Sequence, residues 1–201
     1  MSFRRPAVMA AVLAVVAAVP ALAAPPAQVQ GGTFAVEPTH TRVVFAVDHF
    51  GTSTWYGDFT HASGTLKLDP ANLAASQVEV SVPVASVSTT NSVLDGELKS
   101  AAWLDAAKCP NMTFKSTKVT PTGPDRATIA GELTLHCVTR PVTLQARLHG
   151  AGTNPLTHAY TVGFDATGQI KRSEFGVTKY VPVVSDEVQV ILSAPFVKAA
   201  G

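Results

Sequence analysis

From Val43 onward apolar side chains fall on alternate positions, Val43, Phe45 and Val47, and the rhythm runs on through His49, Gly51 and Trp55. A strand, a tight turn and a second strand fit this spacing, because successive side chains of a strand point to opposite faces. The same period of two returns at Thr65 to Leu68, Val78 to Val84, Thr113 to Val119, Ile129 to Leu135, Val142 to Leu148, Ala159 to Phe164 and Val188 to Phe196. So many strands with so little helix to cover them predict a barrel or a sandwich.

One window alone reads as helix, between Asn91 and Lys108. Ser92 and Asp95 give it an S-x-x-D start, Leu94, Leu98, Ala101 and Trp103 share a side, and Pro110 ends it. Gly96 weakens the run, so one or two short turns of helix capping or flanking the barrel are expected.

Composition changes the picture at the amino terminus. Arg4 and Arg5, the apolar run Ala7 to Val19 and the small residues Ala21-Leu22-Ala23 predict a cleaved secretory signal over 1–24 and a periplasmic or secreted product. The run is too short and alanine-rich for a membrane span, and Pro6 disfavours twin-arginine export. With no cysteine near the cleavage site, neither a lipid anchor nor an integral membrane anchor is expected. The chain then divides into 1–24 as leader, 25–32 as a flexible mature terminus and 33–198 as one β domain. Loss of the leader takes two arginines from 15 basic residues, leaving 13 against 14 acidic ones, 13 − 14 = −1. A chain so evenly balanced and without a basic stripe is not built for nucleic acid, nor does it carry a polybasic membrane patch.

Cys109 and Cys137 lie at the base of one hairpin, whose turn is the Pro/Gly/Asp stretch Thr120 to Arg126. Centring that turn on Gly123 sets residue 109 opposite 137. Aligning the apolar faces, Met112 and Phe114 with Leu133 and Leu135, sets it opposite Val138. Both registers leave the sulfurs close, in a compartment that permits disulfides, and two buried free thiols are the alternative.

The order and spacing of several motifs are similar to those of the YceI-like family of exported, lipocalin-like polyisoprenoid- or lipid-binding proteins. They are Val36-Glu37-Pro38-Thr39-His40-Thr41, Val44 to Gly51, Gly57-Asp58-Phe59 with Gly64-Thr65-Leu66, Pro110 through Ser116, Gly131 to Leu135 with Val138 to Val142, and Arg172-Ser173-Glu174-Phe175-Gly176. Cys109 stands where the family has an aromatic residue and Cys137 where it has glycine. That both unusual residues fall at the hairpin base favours the disulfide. Leu94-Asp95-Gly96-Glu97-Leu98 keeps only Asp95 and Leu98 of the family's Arg-Asp-x-His-Leu.

The resemblance implies an all-β, eight-stranded antiparallel lipocalin-like β-barrel with one or two short helices between strands. Eight tilted strands enclose room for one small ligand, and an apolar lumen suits an elongated lipid such as an isoprenoid, a quinone or a fatty acid derivative, held for transport or storage. The candidate lining is Phe45, Val47, Trp55, Phe59, Leu66, Leu68, Phe114, Leu133, Leu135, Phe164 and Phe175, with Phe45, Trp55, Phe114 and Phe164 foremost for the tail. His49 and Arg172, at strand ends, are candidates for the polar head; the plainer alternative has His49 capping a turn and Arg172 paired with Asp48 or Glu187. Ala46 or Ala130, depending on register, is the small inward position where a phenylalanine would block the tube.

Two other readings compete with lipid binding. His40, His49 and His61 with Asp48 and Asp58 outline a possible barrel enzyme for a small apolar substrate, but no H-E-x-x-H, H-x-H, C-x-x-C or G-x-S-x-G spacing supports metal or nucleophile chemistry. No cofactor, metal or catalytic residue is therefore expected. A filled barrel serving as an interaction module without ligand is the third reading. A dimer is compatible with all three.

Overall fold

A computed structural model describes residues 29–199. The leader expected over 1–24 lies outside them. Ten antiparallel segments form one sheet: β1 (Gly32–Val36), β2 (Arg42–His49), β3 (Ser53–Phe59), β4 (Ser63–Leu68), β5 (Gln77–Pro83), β6 (Asn111–Pro121), β7 (Arg126–Leu135), β8 (Val138–Thr153), β9 (Tyr160–Lys171) and β10 (Glu187–Lys198). They make eight staves. The first half of β10 pairs with β2 and the second half with β1, while β3 pairs with β2 and β4 with β1. Each hairpin partner is thus one long strand broken in the middle, and the β1–β10 pairing closes the barrel. Closure leaves no long free edge, the usual answer to edge-to-edge aggregation.

Local chemistry makes the first break. Pro38 has no N–H for a ladder, and the Glu37 carboxylate accepts from the Thr39 and His40 amides at 3.0 Å each, folding the chain into a turn. Thr41 Oγ1 donates back to the Glu37 carbonyl at 2.7 Å. Burial opposes ionisation of Glu37, but the hydrogen bonds from Thr39 and His40 outweigh it and lower its pKa to about 2. The second break falls at residues 60–62, where His61 takes a positive φ. Beyond it β4 stays paired with β5, whereas the edge of β3 turned away from β2 has no strand beside it and exchanges two hydrogen bonds with Ser88 through Asp58.

Residues 84–110 fill the gap this leaves in the wall. They begin with a 3-10 turn, Val84–Ser86, and continue into α1 (Ser92–Lys99). Asn91, rather than Ser92, caps α1, accepting from the Val93 and Leu94 amides, and Asp95 reaches back to the Thr89 amide and hydroxyl at 2.7 Å. The helix stops at Lys99 and the chain continues in turns, so Leu98 and Trp103 reach the core from two different elements.

A disulfide joins Cys109 to Cys137, tying the end of this cap to the β7–β8 turn with a Cα separation of 5.4 Å. The face-matched register is the one realised: Phe114 lies opposite Leu133, and a bulge between Ser116 and Lys118 shifts the remainder by one residue. Cys137 bonds without standing directly across from Cys109 because it occupies the second place of a two-residue turn, where His136 and Cys137 both have positive φ. Side chains other than glycine or asparagine are strained there, and the covalent link holds the turn in place. Closing a loop of 28 residues contributes about 3 to 4 kcal/mol by chain entropy.

The densest core lies at the β1/β4/β9/β10 end, where Phe34, Val162 and Phe196 floor the barrel. The cap residues Val87, Leu98 and Trp103 belong to the same apolar cluster. Among the described residues no helix is long and apolar enough to cross a membrane.

Candidate functional site: an apolar lumen

Between floor and cap the barrel is hollow. A cavity of about 830 Å³ runs through it, from the cap and the β2–β3 turn to the β6–β7 turn. That is ample for one elongated ligand, since small-molecule sites span about 300 to 1,000 Å³. The strand period of two builds the lining directly: Phe45, Val47 and His49 on β2 face inward beside Trp55 and Phe59 on β3, and Val188, Val190, Leu192, Ala194 and Phe196 on β10 do the same.

Twelve of the thirteen ligand-site residues expected from sequence line this cavity: Phe45, Val47, His49, Trp55, Phe59, Leu66, Leu68, Phe114, Leu133, Leu135, Phe164 and Arg172. Phe175 does not. It is fully buried, in the 3-10 turn Arg172–Phe175 that follows β9, and it borders a shallow outer groove with Glu132, Lys171 and Glu187. Once the strand ends, alternation no longer says which way a side chain points. The blocking positions need the same correction. Phe45, Val47, Ile129 and Leu133 line the lumen, so Ala46 and Ala130 between inward neighbours face out; Ala146 and Ala166, paired on β8 and β9, are small residues that face in.

Two glycines widen the tube. A Cβ at Gly57 would collide with the Phe45 ring, and one at Gly131 with the Phe114 ring. Both aromatic rings therefore lie flat over the backbone of the neighbouring strand, covering the wall while leaving the bore open.

Polar groups gather at the cap end. Arg172 is 5% exposed and spends its guanidinium on backbone: Nε donates to Ser185 O at 2.9 Å, Nη1 to Val177 O at 3.0 Å and Lys179 O at 2.8 Å, and Nη2 to Val184 O at 2.8 Å. Its face lies 5.4 Å from the Trp103 ring. Burial lowers its pKa and the charge of Asp186 opposes that shift. Neither Asp48 nor Glu187 is its hydrogen-bond partner. Glu97 accepts from Lys179 and, at 3.2 Å, from Trp103 Nε1; these bonds lower its pKa, and the same pair raises that of Lys179.

His49 turns its ring to the lumen, 5.9 Å from Trp55, and Asp48 instead caps the β2–β3 turn by accepting from Gly51 N at 2.7 Å. The three histidines do not form one site. His40 binds Glu37 and His61 binds the Thr60 hydroxyl, both on the exposed surface. Among the described residues no group of three or more His, Cys, Asp and Glu side chains could hold a metal ion.

Sequence reasoning missed the lining supplied from outside the strands: Leu94, Leu98, Trp103 and Leu104 from the cap, and Val177 and Tyr180 from the loop before β10. It also named no lining residue of β10, although Val188, Val190, Leu192, Ala194 and Phe196 alternate there without a break.

The YceI-like domain model matches residues 34–196. Two proteins named Protein YceI, from Salmonella arizonae and Salmonella enteritidis, are 41% identical over 157 residues, covering 78% of this chain and 81% of theirs. Among solved structures, BcnA of Burkholderia cenocepacia is 26% identical with a TM-score of 0.72, over 80% of this chain and 98% of that one. A Campylobacter jejuni YceI protein is 26% identical with a TM-score of 0.68, over 76% and 90%. A polyisoprenoid binding domain from Saccharophagus degradans shares the fold, with a TM-score of 0.63 at 14% identity over 85% of this chain and all of that one.

Proposed function

Because the chain belongs to the YceI-like domain family, we propose that it is an exported binding protein that holds one long-chain isoprenoid or similar lipid in its barrel lumen, for transport or storage. The observation that carries this reading is the void: about 830 Å³ of largely apolar space inside a closed barrel. A barrel serving only as an interaction module would gain stability by filling that space, because interiors normally pack to crystal-like density. Each methylene moved from water into the lumen contributes about 0.8 kcal/mol, so a tail of several isoprene units binds well without a charged partner. The shared fold with a domain named for polyisoprenoid binding agrees with this ligand class. The ligand contacts are then the twelve expected residues that line the cavity, with Phe45, Phe114 and Phe164 along the tail.

Titration of the mature protein with a fluorescent prenyl lipid tests the proposal. The expected result is saturable binding at one lipid per chain. Absence of binding across prenyl, quinone and acyl probes would refute it.

A further inference from the structure

Building on the lipid-binding reading, we propose that Trp55 is the headgroup-recognising residue of the lumen: its indole N–H donates to an uncharged oxygen of the lipid head, beside the His49 ring. The head then lies at the cap end and the tail runs toward the β6–β7 turn.

Three observations converge on this residue. Trp55 Nε1 is buried and has no hydrogen-bond partner among the described residues. Buried donors are nearly always paired, so an orphan beside an empty cavity points to an acceptor that arrives with the ligand. The other indole at this end, Trp103, is already satisfied by Glu97. Of the charged side chains at this end, Arg172 is engaged with four carbonyls and Glu97 with Lys179 and Trp103, and Tyr180 is 54% exposed, so Trp55 is the buried donor that remains to meet a head, with the His49 ring beside it.

Charge sets the class of head. The arginines that line the cavity are Arg42, Arg126 and Arg172. Arg42 pairs with Asp58, Arg126 lies 3.7 Å from Asp125 at the opposite end, and Arg172 is held by backbone. A phosphate buried at the cap end would lack the compensating cation that a desolvated charge requires. A hydroxyl or carbonyl oxygen needs only a donor, and the indole has nothing else to do. Opposite the head, Pro124, Ala127 and Ile129 line the lumen for a tail, and Asp125 and Arg126 stand largely exposed at its rim, 3.7 Å from each other.

The test compares a long-chain prenyl alcohol with the matching hydrocarbon that lacks the hydroxyl, each displacing the fluorescent lipid from the wild type and from Trp55→Phe. The variant keeps an aromatic ring and removes the donor. The expected result is an affinity for the alcohol about five- to tenfold lower, equivalent to about 1 to 1.4 kcal/mol, against a loss of less than about twofold for the hydrocarbon, which meets only the smaller apolar face of the new ring. In the wild-type protein the indole 15N–1H resonance of Trp55 should move downfield with the alcohol and not with the hydrocarbon; the chain has two tryptophans, so the variant assigns the signal. Equal losses for both probes, or an unmoved indole resonance on saturation with the alcohol, would overturn the proposal while leaving lipid binding intact. If the wild type bound neither probe, lipid binding itself would fall, and the headgroup assignment with it.

Discussion

Replacing Arg172 by methionine is expected to destabilise the barrel by about 3 to 5 kcal/mol, because it leaves four buried or part-buried carbonyls without their charged donor. Methionine keeps the length and apolar character of the stem but donates nothing. The carbonyls of Val177, Lys179, Val184 and Ser185 would lose the donor that draws the loop before β10 across the barrel end. The Trp103 ring would also lose the guanidinium 5.4 Å from its centre. Urea and thermal unfolding measure the effect, which for a chain of this size corresponds to a fall in Tm on the order of 10 °C. Arg172→Lys should recover little of it, because an ammonium lacks the planar fork that reaches four carbonyls at once. A loss below about 1 kcal/mol, the scale of an ordinary surface change, would show that the carbonyl cage is not what holds the loop.

Ala166→Phe is expected to abolish most lipid binding while leaving stability nearly unchanged. Ala166 faces the lumen on β9, with Phe164 and Gly168 as inward neighbours along the strand and Ala146 and Leu192 across from it. Adding a ring to a filled core costs about 1 to 3 kcal/mol through forced rotamers, but here the ring enters space that is already open. It occupies the room a tail needs. Affinity for the fluorescent prenyl lipid should fall at least about a hundredfold, equivalent to the apolar burial of three or four methylenes, with the unfolding midpoint held within a few degrees. Unchanged affinity in a folded Ala166→Phe protein would move the binding site to the outer surface.

How far the sequence carried can be followed on particular residues. Alternation located every long strand, because a half-buried strand must put its apolar side chains on one face, and of the two β6–β7 registers that the sequence left open the face-matched one is realised. Phe114 stands opposite Leu133 as face matching requires, since a slip of one residue would turn that whole face to solvent. The bulge after Ser116 was not legible. Nor were the breaks at 37–41 and 60–62, which turn two uninterrupted-looking strands into four segments and open the gap that the cap fills. Phe175 shows the same limit, for its direction is set by a 3-10 turn and not by strand geometry. Arg172 was recognisable as a residue of consequence, yet its partners are backbone carbonyls of a loop, which no pattern of side chains records. The disulfide was legible as proximity alone; its geometry depends on a turn in which His136 and Cys137 take positive φ. Fold class came mostly from the ordered motifs, and the void could come only from the structure, because alternation fixes a face and says nothing about what stands before it.

Photoaffinity labelling tests the central claim most directly. A prenyl lipid with a photoreactive group near its tail, irradiated in complex with the mature protein and mapped by peptide mass spectrometry, should mark every second residue of β10. Adducts are expected on Val190, Leu192 and Ala194, which line the cavity, and not on Gln189 or on Ile191, which is exposed on the outer face. Labelling centred on Ile191 or Tyr56, or spread evenly along the strand, would contradict a lipid held inside the barrel.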